Sequence, residues 1–383
     1  MTKITRRSFV NTFGFGLGAT AVLSTLPSFI TESEIGKIDY KGKKINVALV
    51  GLGRYAGYLA EGIAKSQFCQ LTGIVTGTPS KIKKWQDQYK IADQNVYNYE
   101  NFDQIAKNKD IDLIYVVTPN GLHKDFVVRA AKAGKHVITE KPMATSIKDC
   151  EAMIKACKDA GVQLAIGYRL HFEPTHLELM RLGQQKVYGQ VRYIEAGLGY
   201  KIYDTLAQTQ SASEATDWHL KKKLSGGGAL MDLGIYCIQA ARYVLGEEPI
   251  SVTAQFGVVH DKIRFSEVEE SISWQMEFPS GAMASCNTSC GFHIDRFYAS
   301  ADEGSFELSP ALSYGPFVGK TSDGKIIEFP IVNQQQTQMD AICKALLEAK
   351  PLPSHITGEE GIKDVRIIEA IYKSANSGVK IKI

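Results

Sequence analysis

The chain has 383 residues, 44% hydrophobic and 22% charged, which excludes a disordered or fibrous protein and leaves room for two or three domains. Its formal charge of +3 comes from Lys3, Arg6 and Arg7, because no acid precedes Glu32 and the rest of the chain is balanced. A nucleic-acid binder normally carries a basic footprint, so no nucleic-acid partner is expected.

Residues 1–30 read as an export signal rather than part of the fold. Thr5-Arg6-Arg7-Ser8-Phe9 is a twin-arginine motif, followed by a modestly apolar run from Phe13 to Ile30. That run approaches the length of a membrane anchor, but its hydroxyl residues and Pro27 weaken it. The expectation is a periplasmic protein with no stable membrane insertion once the signal is removed. The twin-arginine route carries folded proteins, which allows a cofactor to be loaded before export. The seven cysteines show no tight Cys/His spacing; they read as buried thiols, with no metal site and no disulfide framework.

After a polar arm (31–44), Ile45-Asn46-Val47-Ala48-Leu49-Val50 is a strand buried on both faces. It runs into Gly51-Leu52-Gly53-Arg54-Tyr55-Ala56, a G-x-G-x-x-A turn opening a helix. The first glycine makes the turn, the second admits a pyrophosphate, and the helix N-terminus faces the phosphates. Gly51, Gly53, Arg54 and Tyr55 are therefore assigned to a dinucleotide. The second strand ends at Thr76, and from Ala64 to Ser80 there is no acid to hold a ribose 2′-OH, whereas Lys81, Lys83 and Lys84 follow. That pattern suits a 2′-phosphate held by Thr76 and Lys81, hence NADP in preference to NAD.

Two later strands end in Thr118-Pro119-Asn120, with His123 opening the next helix, and in Glu140-Lys141-Pro142. In an open parallel sheet ligands lie outside the carboxyl ends of strands. This places Pro119, Asn120, His123, Glu140 and Lys141 beside the nicotinamide. Residues 45–167 thus read as a Rossmann domain, a doubly wound parallel α/β sheet.

These motifs resemble the glucose–fructose oxidoreductase/inositol dehydrogenase (Gfo/Idh/MocA) family, and within it the glucose–fructose oxidoreductase branch most closely. The resemblance spans residues 45–383 and continues through Gly167-Tyr168-Arg169 with His171, Gly226-Gly227-Gly228-Ala229-Leu230-Met231-Asp232, and Trp274-Gln275-Met276. It implies Arg169 and Trp218 at the cofactor, with His219 in place of an expected arginine beside Trp218. The branch also implies an exported enzyme with tightly bound NADP.

From Gln190 onward apolar and polar residues alternate, as in Ile272-Ser273-Trp274-Gln275-Met276-Glu277-Phe278. Residues 168–383 are expected to form an α+β substrate domain with a large, open, mainly antiparallel sheet and late helices near 334–349 and 358–376. An open face rich in Trp and Phe would serve a homodimer or homotetramer. Ahead of the sheet, Gly226-Gly227-Gly228 lets backbone pass close to a ligand, and a helix from Ala229 to Leu245 places Asp232 and Tyr236 four apart on one face. The resemblance puts an acid and a His or Tyr at these two positions. Lys141, Asp232 and Tyr236 are then the catalytic set. Tyr236 exchanges the sugar hydroxyl proton, Lys141 supplies the ammonium a phenol needs beside it for that role, and Asp232 orients hydroxyls.

The leading expectation is NADP-dependent oxidation of an aldose at C1 to its lactone, with reduction of a second sugar on the same cofactor. A glycosidase using NAD transiently, a chemistry the wider family hosts, would favour an acid on the second strand. A non-catalytic cofactor-binding sensor would not need the Lys141/Asp232/Tyr236 set.

Overall fold

The computed structural model describes residues 42–201 and 218–383. The twin-arginine signal, the arm up to residue 41, and residues 202–217 lie outside the described residues.

The first domain is a six-stranded parallel sheet: β1 Ile45–Val50, β2 Cys69–Val75, β3 Val96–Tyr97, β4 Leu113–Val116, β5 His136–Glu140 and β6 Leu164–Gly167. Helices α1 Arg54–Lys65, α2 Ile82–Tyr89, α3 His123–Lys132 and α4 Ile147–Asp159 connect most of them. The spatial order is β3-β2-β1-β4-β5-β6, so the winding reverses between β1 and β4. A crevice opens at that switch point, because the connections after β1 and β4 leave in opposite directions. Val47 to Val50 are fully buried, as an apolar run covered on both faces requires.

The second domain adds α5 Pro174–Gln184, β7 Val191–Gly199, α6 Ile235–Leu245, β8 Ser251–Phe256, β9 Ser271–Glu277, β10 Met283–Ser289, β11 Ile294–Ala301, β12 Gly304–Leu308, β13 Val318–Thr321 and β14 Ile326–Glu328. The C-terminal β15 Ile381–Lys382 completes a nine-stranded sheet ordered β14-β13-β12-β11-β7-β10-β9-β8-β15. Its neighbours are antiparallel except β7 and β10, which run parallel. The expected aromatic open face is not there. On β9, Ile272, Trp274 and Met276 are buried while Ser273 and Gln275 are exposed. Alternation correctly separates the two faces, but Trp274 lies on the core face, covered by helices; the outer face is polar along β9 and carries Met283, Val318 and Ile326 on other strands.

The chain also crosses back. Helix α7 Gln334–Leu347 carries Met339, Ile342 and Cys343 into the core of the first domain, against α1 and β1. Leu352, Ile356 and Val365 follow them into the same core, and α8 Gly358–Ser377 then lies on both α4 and β8. A boundary at 168 therefore marks only the first crossing. Periodicity finds the apolar face of a helix but not which sheet it will cover. All seven cysteines are buried with free thiols.

Candidate active site

The glycine turn is built as its residue types demand. Gly51 has φ +94°, and a Cβ there would lie 2.8 Å from the Val117 carbonyl oxygen, so only glycine fits between β1 and β4. Gly53 begins α1 with no side-chain cap and no acid in the first turn, and a Cβ on it would meet nothing within 4 Å. A helix end with free N–H groups and open space before it suits an anion. At the tip of β2, Thr76 is buried and its hydroxyl accepts from the Thr78 N–H at 3.1 Å. Lys81 reaches back to the turn, Nζ donating to the Leu52 carbonyl at 2.9 Å. Lys83 instead faces solvent and pairs with Asp87 one helical turn on. The three lysines after β2 thus divide: Lys81 belongs to the crevice, whereas Lys83 and Lys84 are exposed.

The catalytic candidates converge from three elements. Lys141, at the end of β5, donates from Nζ to the Asp232 backbone oxygen at 2.7 Å and to Asp232 Oδ1 at 3.1 Å. Its ammonium also lies 4.9 Å from the Tyr236 ring centroid. Asp232 is not on a regular α-helix. Residues Leu230–Gly234 form a π-helical turn, Ile235 N–H donating to the Leu230 carbonyl, before α6 begins. One extra residue per turn changes the phase between Asp232 and Tyr236; periodicity reading cannot see this, and such turns often accompany functional sites.

The electrostatics fit these contacts. Burial alone would lower the Lys141 pKa, but Tyr236, Asp232 and Glu140 together hold it above the ordinary lysine range. Burial would raise Asp232, yet Lys141, His219 and Arg54 outweigh it and hold the carboxyl below its usual range. Lys141 is thus an ammonium and Asp232 a carboxylate. His219, standing where an arginine was expected, is one of the groups acting on Asp232; its ring stacks on Trp218 with centroids 3.7 Å apart.

Several residues assigned to the cofactor are engaged with protein. His123 is fully buried, Nε2 lying 2.9 Å from the Thr118 carbonyl and Nδ1 3.1 Å from that of Pro142. It ties the β4 and β5 tips together and presents no ring nitrogen outward. Asn120 donates from Nδ2 to the Ser225 carbonyl at 2.8 Å, joining the two domains beside Pro119. Glu140 accepts from Tyr115 Oη at 2.6 Å, and burial pushes its carboxyl up to about 7. Arg169 is also buried. Its guanidinium donates to Ser313 and Leu312 carbonyls at 2.8 and 3.1 Å and, from Nε, to Tyr236 Oη at 3.3 Å. Arg169 therefore positions Tyr236, and its donors engage protein acceptors.

The glycine run before Asp232 packs closely against protein. Glu269 accepts from the Gly228 and Leu230 N–H groups, both at 2.9 Å, and a Cβ on Gly227 or Gly228 would collide with Tyr372 or the Glu269 backbone. Close approach is indeed why glycine stands there, and the approaching groups are Tyr372 at Gly227 and Glu269 at Gly228.

Sequence reasoning missed two tyrosines. Tyr200, at the end of β7, is raised by burial and by Asp232, which places it beside the pair. Tyr314 lies with its ring centroid 4.2 Å from the Arg169 guanidinium. Its Oη meets Gln335 Nε2 at 3.4 Å, and that amide also reaches Tyr55 Oη at 3.5 Å. An aromatic immediately after a strand was the available signal for Tyr200. Nothing local marks Tyr314.

Comparison with known proteins accords with this geometry. Residues 45–168 match the oxidoreductase family with an NAD-binding Rossmann fold, and residues 176–307 match the GFO/IDH/MocA C-terminal domain. The aldose-aldose oxidoreductase of Caulobacter crescentus, solved with glycerol, is 39% identical with a TM-score of 0.82, covering 89% of this chain and 100% of that one. The D-xylose 1-dehydrogenase [NADP(+)] of Haloarcula marismortui is 25% identical over 349 residues, 88% of this chain and 93% of that protein. A levoglucosan dehydrogenase solved with NADH and levoglucosan shares the fold alone, at 18% identity and TM-score 0.75 over 89% of this chain and 100% of that one.

Proposed function

Because the chain belongs to the Gfo/Idh/MocA oxidoreductase family and is an oxidoreductase acting on sugar CH–OH groups, we propose that it oxidises an aldose at C1 to the lactone with retained NADP and returns the hydride to a second sugar. The observation that carries this reading is the convergence of Lys141, Asp232 and Tyr236, with Arg169 donating to the tyrosine oxygen.

Bound NADP supplies a hydride acceptor. Removal of the C1 hydroxyl proton falls to the protein. Lys141, as an ammonium, has no free lone pair, and Asp232, held at low pKa by its cationic neighbours, is a weak base. Tyr236 Oη is left as the proton acceptor; it takes the proton as the phenolate, the form that the Lys141 and Arg169 cations favour, and the hydrogen bond from Arg169 fixes its position. The Asp232 carboxylate accepts from sugar hydroxyls, while Lys141 polarises the oxygen that becomes the carbonyl. In the reverse direction Tyr236 returns the proton as the second sugar is reduced.

Thr76 and Lys81, with no acid on β2, support NADP over NAD. The twin-arginine motif supports export to the periplasm as folded holoprotein, where no supply of free nucleotide can be assumed. A freely exchanging cofactor would be lost there, so ping-pong turnover on retained NADP follows. Assembly as a homodimer or homotetramer is proposed through the outer face of the nine-stranded sheet, whose short polar side chains such as Ser273 allow close approach. The test is to dialyse the protein exhaustively and assay it with two aldoses and no added nucleotide, then denature it and identify what is released. Turnover with released NADP(H) is expected. Turnover only when nucleotide is supplied would mark an exchanging dehydrogenase instead.

A further inference from the structure

A cavity of about 440 Å³ opens between α1, the start of α5, and the segments preceding β13 and α7. Its volume lies within the roughly 300–1,000 Å³ of small-molecule sites. Tyr58 and Tyr314 form one wall, 42% and 47% exposed, with ring centroids 6.1 Å apart at 61°. Adjacent, half-exposed tyrosine rings offer apolar faces with polar ends.

The polar lining holds acids and neutral groups. Glu61 and Glu173 contribute carboxylates, Asn333, Gln334 and Gln335 amides and Thr175 a hydroxyl, and among the described residues no lysine or arginine lines the cavity. Glu173 is held in place by the His176 backbone and ring nitrogens, at 3.0 and 2.8 Å. An anionic ligand would face carboxylates without a balancing cation. Both Glu173 oxygens are taken by Thr175 and His176, so a neutral ring with an apolar face and hydroxyl groups is matched by the aromatic wall, the Glu61 carboxylate and the side-chain amides.

The cavity shares a partition with the active site. Tyr314 lines it and also lies against Arg169, which donates to Tyr236 Oη. Gln335, also in the lining, bridges Tyr314 and Tyr55. We propose that this cavity is a second saccharide site that binds a neutral pyranose on the far side of Tyr314 from the catalytic tyrosine. The choice of ligand class rests on the sugar-oxidoreductase reading of the neighbouring site; the cavity and its lining do not.

The probe is methyl β-D-xylopyranoside, which has no free C1 hydroxyl to oxidise, observed by saturation-transfer NMR on the holoprotein. Binding is expected in the wild type and in Asp232→Ala, and a drop of at least fivefold in affinity in Tyr58→Ala and in Ile331→Trp, which fills the rim. Thermal midpoint and nucleotide content show whether each variant is folded, and either variant suffices if the other is not. No binding to the wild type, unchanged binding in the folded cavity variants, or loss in Asp232→Ala would each overturn the proposal, the last by placing the glycoside in the catalytic position. Tighter, Tyr58-dependent binding of tetramethylammonium than of the glycoside would overturn the ligand class, since aromatic rings with carboxylates also hold organic cations. Glycoside binding lost on Ile331→Trp, in a wild type that oxidises no aldose, would remove the sugar-oxidoreductase reading and leave this site standing.

Discussion

Tyr236 is approached by two cations, each 4.9 Å from its ring centroid: Lys141 from β5 and Arg169 from the turn after β6. Only Lys141 also binds Asp232, so removing it breaks the ion pair as well as the contact with the tyrosine. Lys141→Ala and Tyr236→Phe should each lower turnover about 10²–10⁴-fold, the range of a lost general acid/base, with NADP still bound. Steady-state kinetics alongside nucleotide content measured on denatured protein checks this; near-normal turnover in Tyr236→Phe would remove it as the proton acceptor. At this scale the site was partly legible. Lys141 stood out because a lysine ending a buried strand before proline has little reason to be there for solubility. Arg169 was visible but its contacts were not, because its acceptors, Leu312 and Ser313, lie more than a hundred residues further along the chain.

Among the elements, the β2 tip and the π turn before α6 carry most of the specificity argument. Lys81 follows β2 in a short 3₁₀ turn, Pro79–Lys81, and its ammonium bridges back to Leu52 in the glycine loop. A charge placed between the second strand and the pyrophosphate turn is positioned for a 2′-phosphate, and a charge-assisted bond of that kind is lost only with NADP. Lys81→Ala should therefore weaken NADP at least tenfold more than NAD, measured by reconstituting nucleotide-free protein with each. Equal losses would make Lys81 a structural strut for the glycine loop. The π turn has the opposite history. Spacing placed Asp232 and Tyr236 on one helix face, and both do meet Lys141, but through a widened turn whose Asp232 carbonyl receives the lysine.

At the scale of the molecule, α6 and α8 are joined by a buried charge cluster. Arg242 donates to Asp364 Oδ1 and to Glu248 Oε2, both at 2.6 Å, and pairs with Glu360. Asp364 Oδ2 also accepts from Tyr168 Oη at 2.6 Å and Gln239 Nε2 at 2.8 Å. Tyr168 immediately precedes Arg169, so this cluster anchors the turn that presents Arg169 to the active site. Without Asp364, Glu248 and Glu360 still balance the Arg242 charge, but Tyr168 Oη, Gln239 Nε2 and one Arg242 donor lose their buried acceptor, at about 1–3 kcal/mol for a buried polar group left unpaired. Asp364→Ala should lose about that much stability in denaturant unfolding, whereas Asp87→Ala, whose exposed pair with Lys83 lies on α2, should lose less than about 1 kcal/mol. Comparable losses in the two variants would deny the cluster its structural role.

The sequence alone determined whatever rests on local pattern. Buried strands followed by short, Gly- or Pro-bearing tips specified a doubly wound sheet, because a strand covered on both faces must be apolar throughout and its tip must turn sharply. The alternating strands of the second half, the helices near its end and the buried state of the cysteines followed in the same way. Tertiary structure alone decided which face an element turns to which partner. It sent α7 back to the first domain, turned Trp274 inward, closed Glu269 over the glycine run, and brought Arg169 and Tyr314 to Tyr236. These are contacts between residues distant in sequence, and a 3.6- or 2-residue period carries no record of a partner's identity.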